Sequence, residues 1–223
     1  ASPWRAGADE NTTITFSHDA KVEGKDIKAG TYGLHIEVKE GDKATIILSH
    51  DINSWGSYFY DPANDALRAD INTNEVAHKE LLTYEFNSLT PTTAVASLVW
   101  EKKEFPFTVE FDVTEIVLAE FRDKSQGQLG FARQNWEQAA GFSLNNGGDL
   151  NEALGWIDGA IEGNFYSQKT FNNLALKGQI LKKMGKTEEY TALMDEAAEI
   201  ANMNQLNALG YQMMSAKDYE TAL

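Results

Sequence analysis

Along residues 12–113 the apolar positions recur with a period of two, the mark of half-buried strands. Ile14 and Phe16 share one face of Thr12-Thr13-Ile14-Thr15-Phe16. Tyr32, Leu34, Ile36 and Val38 share one face of the run from Thr31, with His35 and Glu37 opposite. Further runs of this kind cover 20–27, 44–50, 66–73, 80–87, 93–100 and 104–113. Turn chemistry bounds them at Gly24-Lys25, Ala29-Gly30, Glu40-Gly41-Asp42 and Asp61-Pro62-Ala63-Asn64. About eight short strands predict an all-β N-terminal domain, an antiparallel sandwich or jelly roll over 1–113.

From Thr114 β-branched residues thin out, Ala, Leu, Met and Glu accumulate, and no proline follows Pro106. This half, 114–223, is predicted to be all-α. Its first helix, 114–124, carries Ile116, Val117 and Phe121 as an apolar stripe, expected to be buried in a core shared with the strands. Three later segments align: Gly148-Asp149-Leu150-Asn151-Glu152-Ala153-Leu154, Gly185-Lys186-Thr187-Glu188-Glu189-Tyr190 and Lys217-Asp218-Tyr219-Glu220-Thr221-Ala222-Leu223. Each reads as the turn of a helical hairpin. Twelve positions before Ala153, Tyr190 and Ala222 stand Gly141, Gly178 and Gly210, and seven after the first two stand Ala160 and Ala197. Antiparallel helices approach closely only where a small residue marks the crossing, so the register predicts such crossings. The pattern resembles the tetratricopeptide repeat, whose period is about 34 residues. Here the glycines are spaced by 37 and 32, and the third repeat stops incomplete at Leu223, so further chain is expected beyond it.

Charge narrows the partners. The chain has 19 Lys and Arg against 34 Asp and Glu, a net charge of −15, without a basic stripe for phosphates. Nucleic acid is therefore not an expected partner. No apolar run is long enough for a transmembrane segment, and the start at Ala1-Ser2-Pro3-Trp4 reads as that of a mature or trimmed piece. The absence of cysteine removes disulfides, thiolate nucleophiles and Cys-ligated metal.

Three segments carry a family resemblance. They are Trp4-Arg5-Ala6-Gly7-Ala8-Asp9-Glu10-Asn11-Thr12-Thr13-Ile14-Thr15-Phe16-Ser17, then Gly24-Lys25-Asp26-Ile27-Lys28-Ala29-Gly30-Thr31-Tyr32-Gly33-Leu34, then Trp55-Gly56 with Tyr58 and Asp65-Ala66-Leu67-Arg68. Over roughly 3–113 the chain resembles the bacterial domain of unknown function 2911 family. The resemblance implies a shared fold, a tetratricopeptide-like tail and a periplasmic or otherwise exported location. It transfers no catalytic residue.

Candidate chemistry is sparse. Ser17-His18-Asp19 and Ser49-His50-Asp51 repeat one tripeptide at strand ends, which makes His18 and His50 weak metal candidates, but neither HExxH nor a three-His spacing accompanies them. Adjacent strand residues point to opposite faces, so neither tripeptide forms a nucleophile relay within itself. No Gly-x-Ser-x-Gly elbow or phosphate-binding loop is present, so no cofactor is expected and a non-enzymatic role is favoured. Trp4, Arg5, Trp55, Tyr58, Tyr60 and Arg68 form a candidate aromatic rim for a polar ring-shaped ligand such as a sugar. In the helical half the repeat register sets Asn135, Gln138, Phe142, Asn172, Gln179, Lys182, Lys183, Asn207 and Tyr211 along a groove. Asn and Gln satisfy both the donors and the acceptors of an extended backbone. The leading expectation is thus an extracytoplasmic protein that binds a protein or peptide partner in this groove. The alternative is a carbohydrate-binding or carbohydrate-active sandwich that uses the rim around Trp55.

Overall fold

A computed structural model describes residues 3–215 of the chain. It divides into two compact units, Ala1–Val113 and Thr114–Leu223. The first holds β1 (Thr13–Phe16), β2 (Ala20–Val22), β3 (Lys25–Ile27), β4 (Gly30–Val38), β5 (Lys43–Ser49), β6 (Asp65–Asn72), β7 (Asn74–Leu89) and β8 (Thr93–Glu110). They form two four-stranded sheets, ordered β1-β4-β5-β6 and β3-β2-β8-β7, with every pairing antiparallel. Tyr32, Leu34, Ile36, Ile46, Leu48 and Leu67 from one sheet pack with Val22, Leu98, Phe105, Phe107 and Val109 from the other. This is a β-sandwich core, built from the alternation that period two requires.

Backbone chirality explains two departures from the expected strands. The run 20–27 is a hairpin, because Glu23 and Gly24 both take positive φ (49° and 74°), the geometry of a two-residue turn that matches strand twist. The runs 93–100 and 104–113 are largely one strand. Core-facing residues are even-numbered at Ala96 and Leu98 and odd-numbered at Phe105, Phe107 and Val109. The switch falls across Glu101, which is left-handed at φ 54° where the β7–β8 register is irregular. A one-residue change of phase is what makes one strand read as two.

The second unit contains α1 (Val113–Lys124), α2 (Arg133–Asn146), α3 (Leu150–Ile161), α4 (Phe171–Lys183), α5 (Thr187–Ile200) and α6 (Met203–Ser215). Gly147 ends α2 in the left-handed conformation at φ 79°, Asp149 caps α3, and Thr170 with Asn173 forms a reciprocal capping box on α4. Leu144, Ala153, Ile157, Ala160, Leu174, Leu181, Tyr190, Met194 and Ala197 share one core. Of the three repeat glycines only Gly178 is held tightly: a Cβ there would lie 2.8 Å from Met194 Sδ and 3.4 Å from Tyr190 Cδ2. At Gly141 a Cβ would make ordinary contact with Leu176 at 3.8 Å, and at Gly210 it would meet nothing within 4 Å among the described residues. The third hairpin turn, at Lys217–Leu223, lies outside the described residues.

The apolar stripe expected on the first helix is shifted by one position. Leu118 is the fully buried residue of α1 and Val117 is 38% exposed, while Phe121 packs edge-on against Trp136 and Trp156, both centroids at 5.2 Å. A Cβ on Gly148 would lie 2.8 Å from Leu118 Cδ1, so that helix approaches the turn after α2. No helix among the described residues is long and apolar enough to cross a membrane.

Candidate functional site

The segment 50–64 joins β5 to β6 and is seated on the backbone of its neighbours. Where it meets β4 the strand carries Gly33, and a Cβ there would sit 2.4 Å from both Asn11 Nδ2 and the Asp51 carbonyl oxygen. Only glycine admits this approach. Asn11 Nδ2 donates to that carbonyl at 2.8 Å, Asn11 N–H donates to Ser54 at 3.1 Å, and Glu10 bridges Trp55 through the backbone. The N-terminal segment is in turn tied to β4 by reciprocal Trp4–Ile36 bonds of 2.9 and 2.8 Å. A loop held at this many backbone points presents its side chains from a fixed frame.

Beneath the loop lies an interlocked polar layer. The sheet register aligns His35 with Ile47, and Ile47 with Arg68, on the face turned away from the core. His35 is 2% exposed, with Nδ1 3.0 Å from Ser57 Oγ and its ring 5.3 Å from that of Tyr60. The Tyr60 hydroxyl donates to the Asp65 carboxylate, 2.9 and 2.8 Å from its two oxygens, and accepts from Arg68 Nη1 at 2.9 Å. Arg68 also pairs with Asp65 at 3.0 Å and with Glu37. Burial pushes the His35 imidazole below its ordinary value, against the upward pull of Asp65 and Asp51. Burial, then the bond to Asp65, raises the Tyr60 phenol to about 12. His35 is therefore neutral and Tyr60 a proton donor at neutral pH, each committed to a partner inside the protein.

Above this layer the aromatic side chains behave differently. Trp55 is 55% exposed, Tyr58 83% and Phe59 75%, and among the described residues none of them stacks on another ring. The six rim residues thus divide. Trp4 is half-buried against the core, stacked on Trp100 at 5.9 Å and edge-on to Phe105 at 6.3 Å, while Tyr60 and Arg68 belong to the locked layer. Trp55 and Tyr58 are open to solvent, and Arg5 lies against Gly56 between them. Periodicity assigned His35 and Glu37 to the solvent face and passed over Ser57 and Asp65 as part of this network. The signal that points to them is the long aromatic segment 50–64, which has to lie across some face of its own sheet.

His18 and His50 are both exposed, His18 beside Ser17 Oγ at 3.0 Å and His50 beside the Tyr32 ring at 5.5 Å. Among the described residues neither joins a group of three or more His or carboxylate side chains around one point. Asp19 and Asp51 act as turn acceptors, Asp19 taking the Ala29 N–H at 2.9 Å and Asp51 the Asn53 N–H at 3.3 Å.

On the helices, Asn135, Gln138 and Phe142 line a largely apolar pocket of about 320 Å³ between α1 and α2, together with Val117, Phe121 and Leu129. Asn172 and Gln179 are exposed on α4, and Asn207 and Tyr211 are exposed on α6. Lys182 lies over the Tyr190 ring, 5.0 Å from its centroid. Lys183 donates to the Leu144 carbonyl, where the last turn of α2 leaves carbonyl groups and the negative end of the helix dipole.

Residues 1–109 match the family described as Protein of unknown function (DUF2911), so the β-sandwich unit carries a domain of that family. Neither the curated proteins nor the solved structures provide a match to the chain.

Proposed function

We propose that the protein is a non-catalytic, extracytoplasmic binding module whose recognition surface is the loop 50–64, and that the surface takes a saccharide. One observation carries this reading: Trp55, Tyr58 and Phe59 stand in solvent, unstacked, on a loop with a pinned backbone. Exposed rings are costly to leave uncovered, and flat aromatic faces suit the apolar face of a sugar ring. The titratable groups beneath them each hold a partner within the protein, His35 with Ser57, Tyr60 with Asp65 and Glu37 with Arg68, which favours binding over proton chemistry. Titration of oligosaccharides into the full chain tests this, with Trp55→Ala expected to weaken binding by about tenfold or more. Unchanged affinity in Trp55→Ala contradicts it.

A second reading places a peptide along the helical groove, taking the unit as a short tetratricopeptide-like array. The pocket of about 320 Å³ beside Gln138 and Phe142 favours it, being large enough for an apolar side chain. Panning a peptide display library on the full chain tests it: selected peptides are expected to lose binding to Gln138→Arg and to keep it with Trp55→Ala.

A further inference from the structure

The chain has four arginines, and three of them hold carboxylates. Arg68 pairs with Glu37 and Asp65, Arg122 with Glu115 and Glu152, and Arg133 with Glu137. Arg5 is the exception. Among the described residues no carboxylate pairs with it, although Asp9 and Glu10 follow closely in a chain of net charge −15. Its Nε is shielded from solvent and has no hydrogen-bond acceptor. The side chain as a whole is only half-buried, so the orphaned Nε is paired with a guanidinium edge that solvent and a ligand can reach.

Arg5 is also fixed in place. Trp4 on one side is bonded to β4, and on the other side the Ala6 carbonyl accepts the Tyr84 hydroxyl at 2.7 Å. Ala6 itself is fully buried and left-handed at φ 53°, a conformation an alanine adopts only where its surroundings impose it. The guanidinium lies against the aromatic loop: a Cβ on Gly56 would meet Arg5 Nη1 at 3.2 Å and Tyr58 Cδ2 at 3.6 Å. Gly56 has φ 64°, and its lack of a side chain in this left-handed turn next to Trp55 leaves room for the arginine.

We propose that Arg5 is the anion-binding residue of this surface and that the ligand is a carboxylate-bearing saccharide, a uronic-acid oligomer. The inference rests on the saccharide reading of the aromatic loop. Trp55 and Tyr58 cover the sugar ring, and the planar guanidinium takes the carboxylate through paired N–H donors. The net charge of −15 repels long polyanions, which favours a short acidic oligosaccharide or a chain end.

Isothermal titration of the full chain with galacturonic-acid tetramers and with their methyl esters separates the two claims. The acid is expected to bind about tenfold more tightly than the ester. Arg5→Gln is expected to remove that difference while leaving ester binding intact, and Arg5→Lys to restore part of it, with thermal melts establishing that each variant is folded. Equal binding of acid and ester, or acid binding unchanged in Arg5→Gln, overturns the role of Arg5 and leaves Trp55-dependent saccharide binding standing. Failure of both sugars to bind the folded wild-type chain overturns the inference together with the reading beneath it.

Discussion

Two groups of aromatic side chains meet water in opposite ways. In the helical unit Phe121, Trp136, Trp156 and Tyr166 pack on one another, Trp136 stacked on Tyr166 at 6.2 Å with an interplanar angle of 4°. Trp136 Nε1 also donates to the Gly130 carbonyl at 2.9 Å. In the β unit Trp55, Tyr58 and Phe59 turn outward while polar groups lock together beneath them. There the polar groups are engaged with one another while the rings stand further out in solvent. The rings of the helical cluster, including the exposed Phe131 and Phe165, are held by contacts with other rings, whereas Trp55, Tyr58 and Phe59 have none among the described residues and call for a partner.

Stability measurements can break this contrast. Arg68→Ala strips Asp65, whose side chain is 8% exposed, and Glu37 of their shared cation. Discounting for the partial exposure of Arg68, a loss of about 2 to 3 kcal/mol is expected in chemical denaturation. Gly33→Ala drives a Cβ into Asn11 and the Asp51 carbonyl and is expected to cost about 1 to 3 kcal/mol while unseating the loop. If Gly33→Ala is neutral, the loop is not seated as described. Gly178→Ala meets the flexible Met194 side chain and is expected to cost about 1 kcal/mol, whereas Gly210→Ala, on α6 with no contact among the described residues, should be neutral or stabilising by about 0.5 kcal/mol. Equal effects at these two positions would show that the repeat register, rather than local contact, sets their role.

The smallest expected effect concerns pH. Burial lowers the His35 pKa from its ordinary 6.5, so the folded chain binds fewer protons than the unfolded chain below that value. The resulting stability is complete above about pH 6.5 and falls as pH drops toward the folded pKa. His35→Gln is expected to flatten that slope in thermal melts recorded from pH 7 to 5. A slope unchanged by the substitution would mean that other groups set the acid response.

Much of the sandwich was legible because it is written in period two, and the change at 113–114 because the period itself changes there. What escaped depends on backbone handedness or on partners far apart in the chain. The left-handed Glu23 made two strands of one run, and left-handed Glu101 hid the continuity of β8. At the site, Trp55 and Tyr58 were legible as exposed rings in a loop. Trp4, Tyr60 and Arg68 were not legible as engaged within the protein, since Trp4 stacks on Trp100 and Arg68 reaches back to Glu37. The solitary state of Arg5 was equally hidden, for Asp9 and Glu10 are its neighbours in sequence, and only the positive φ values at Ala6 and Asp9 show how the chain turns there.

The five tryptophans allow both surfaces to be read in one experiment, since Trp4, Trp55 and Trp100 lie in the β unit and Trp136 and Trp156 in the helical unit. Uronic-acid oligomers titrated into uniformly 15N-labelled full chain, followed through the indole N–H resonances, test the aromatic loop directly. Progressive, saturable movement of the Trp55 resonance, with Trp136 and Trp156 stationary, is the expected result. Movement of Trp136 or Trp156 with Trp55 unchanged would contradict the assignment and move recognition to the helices.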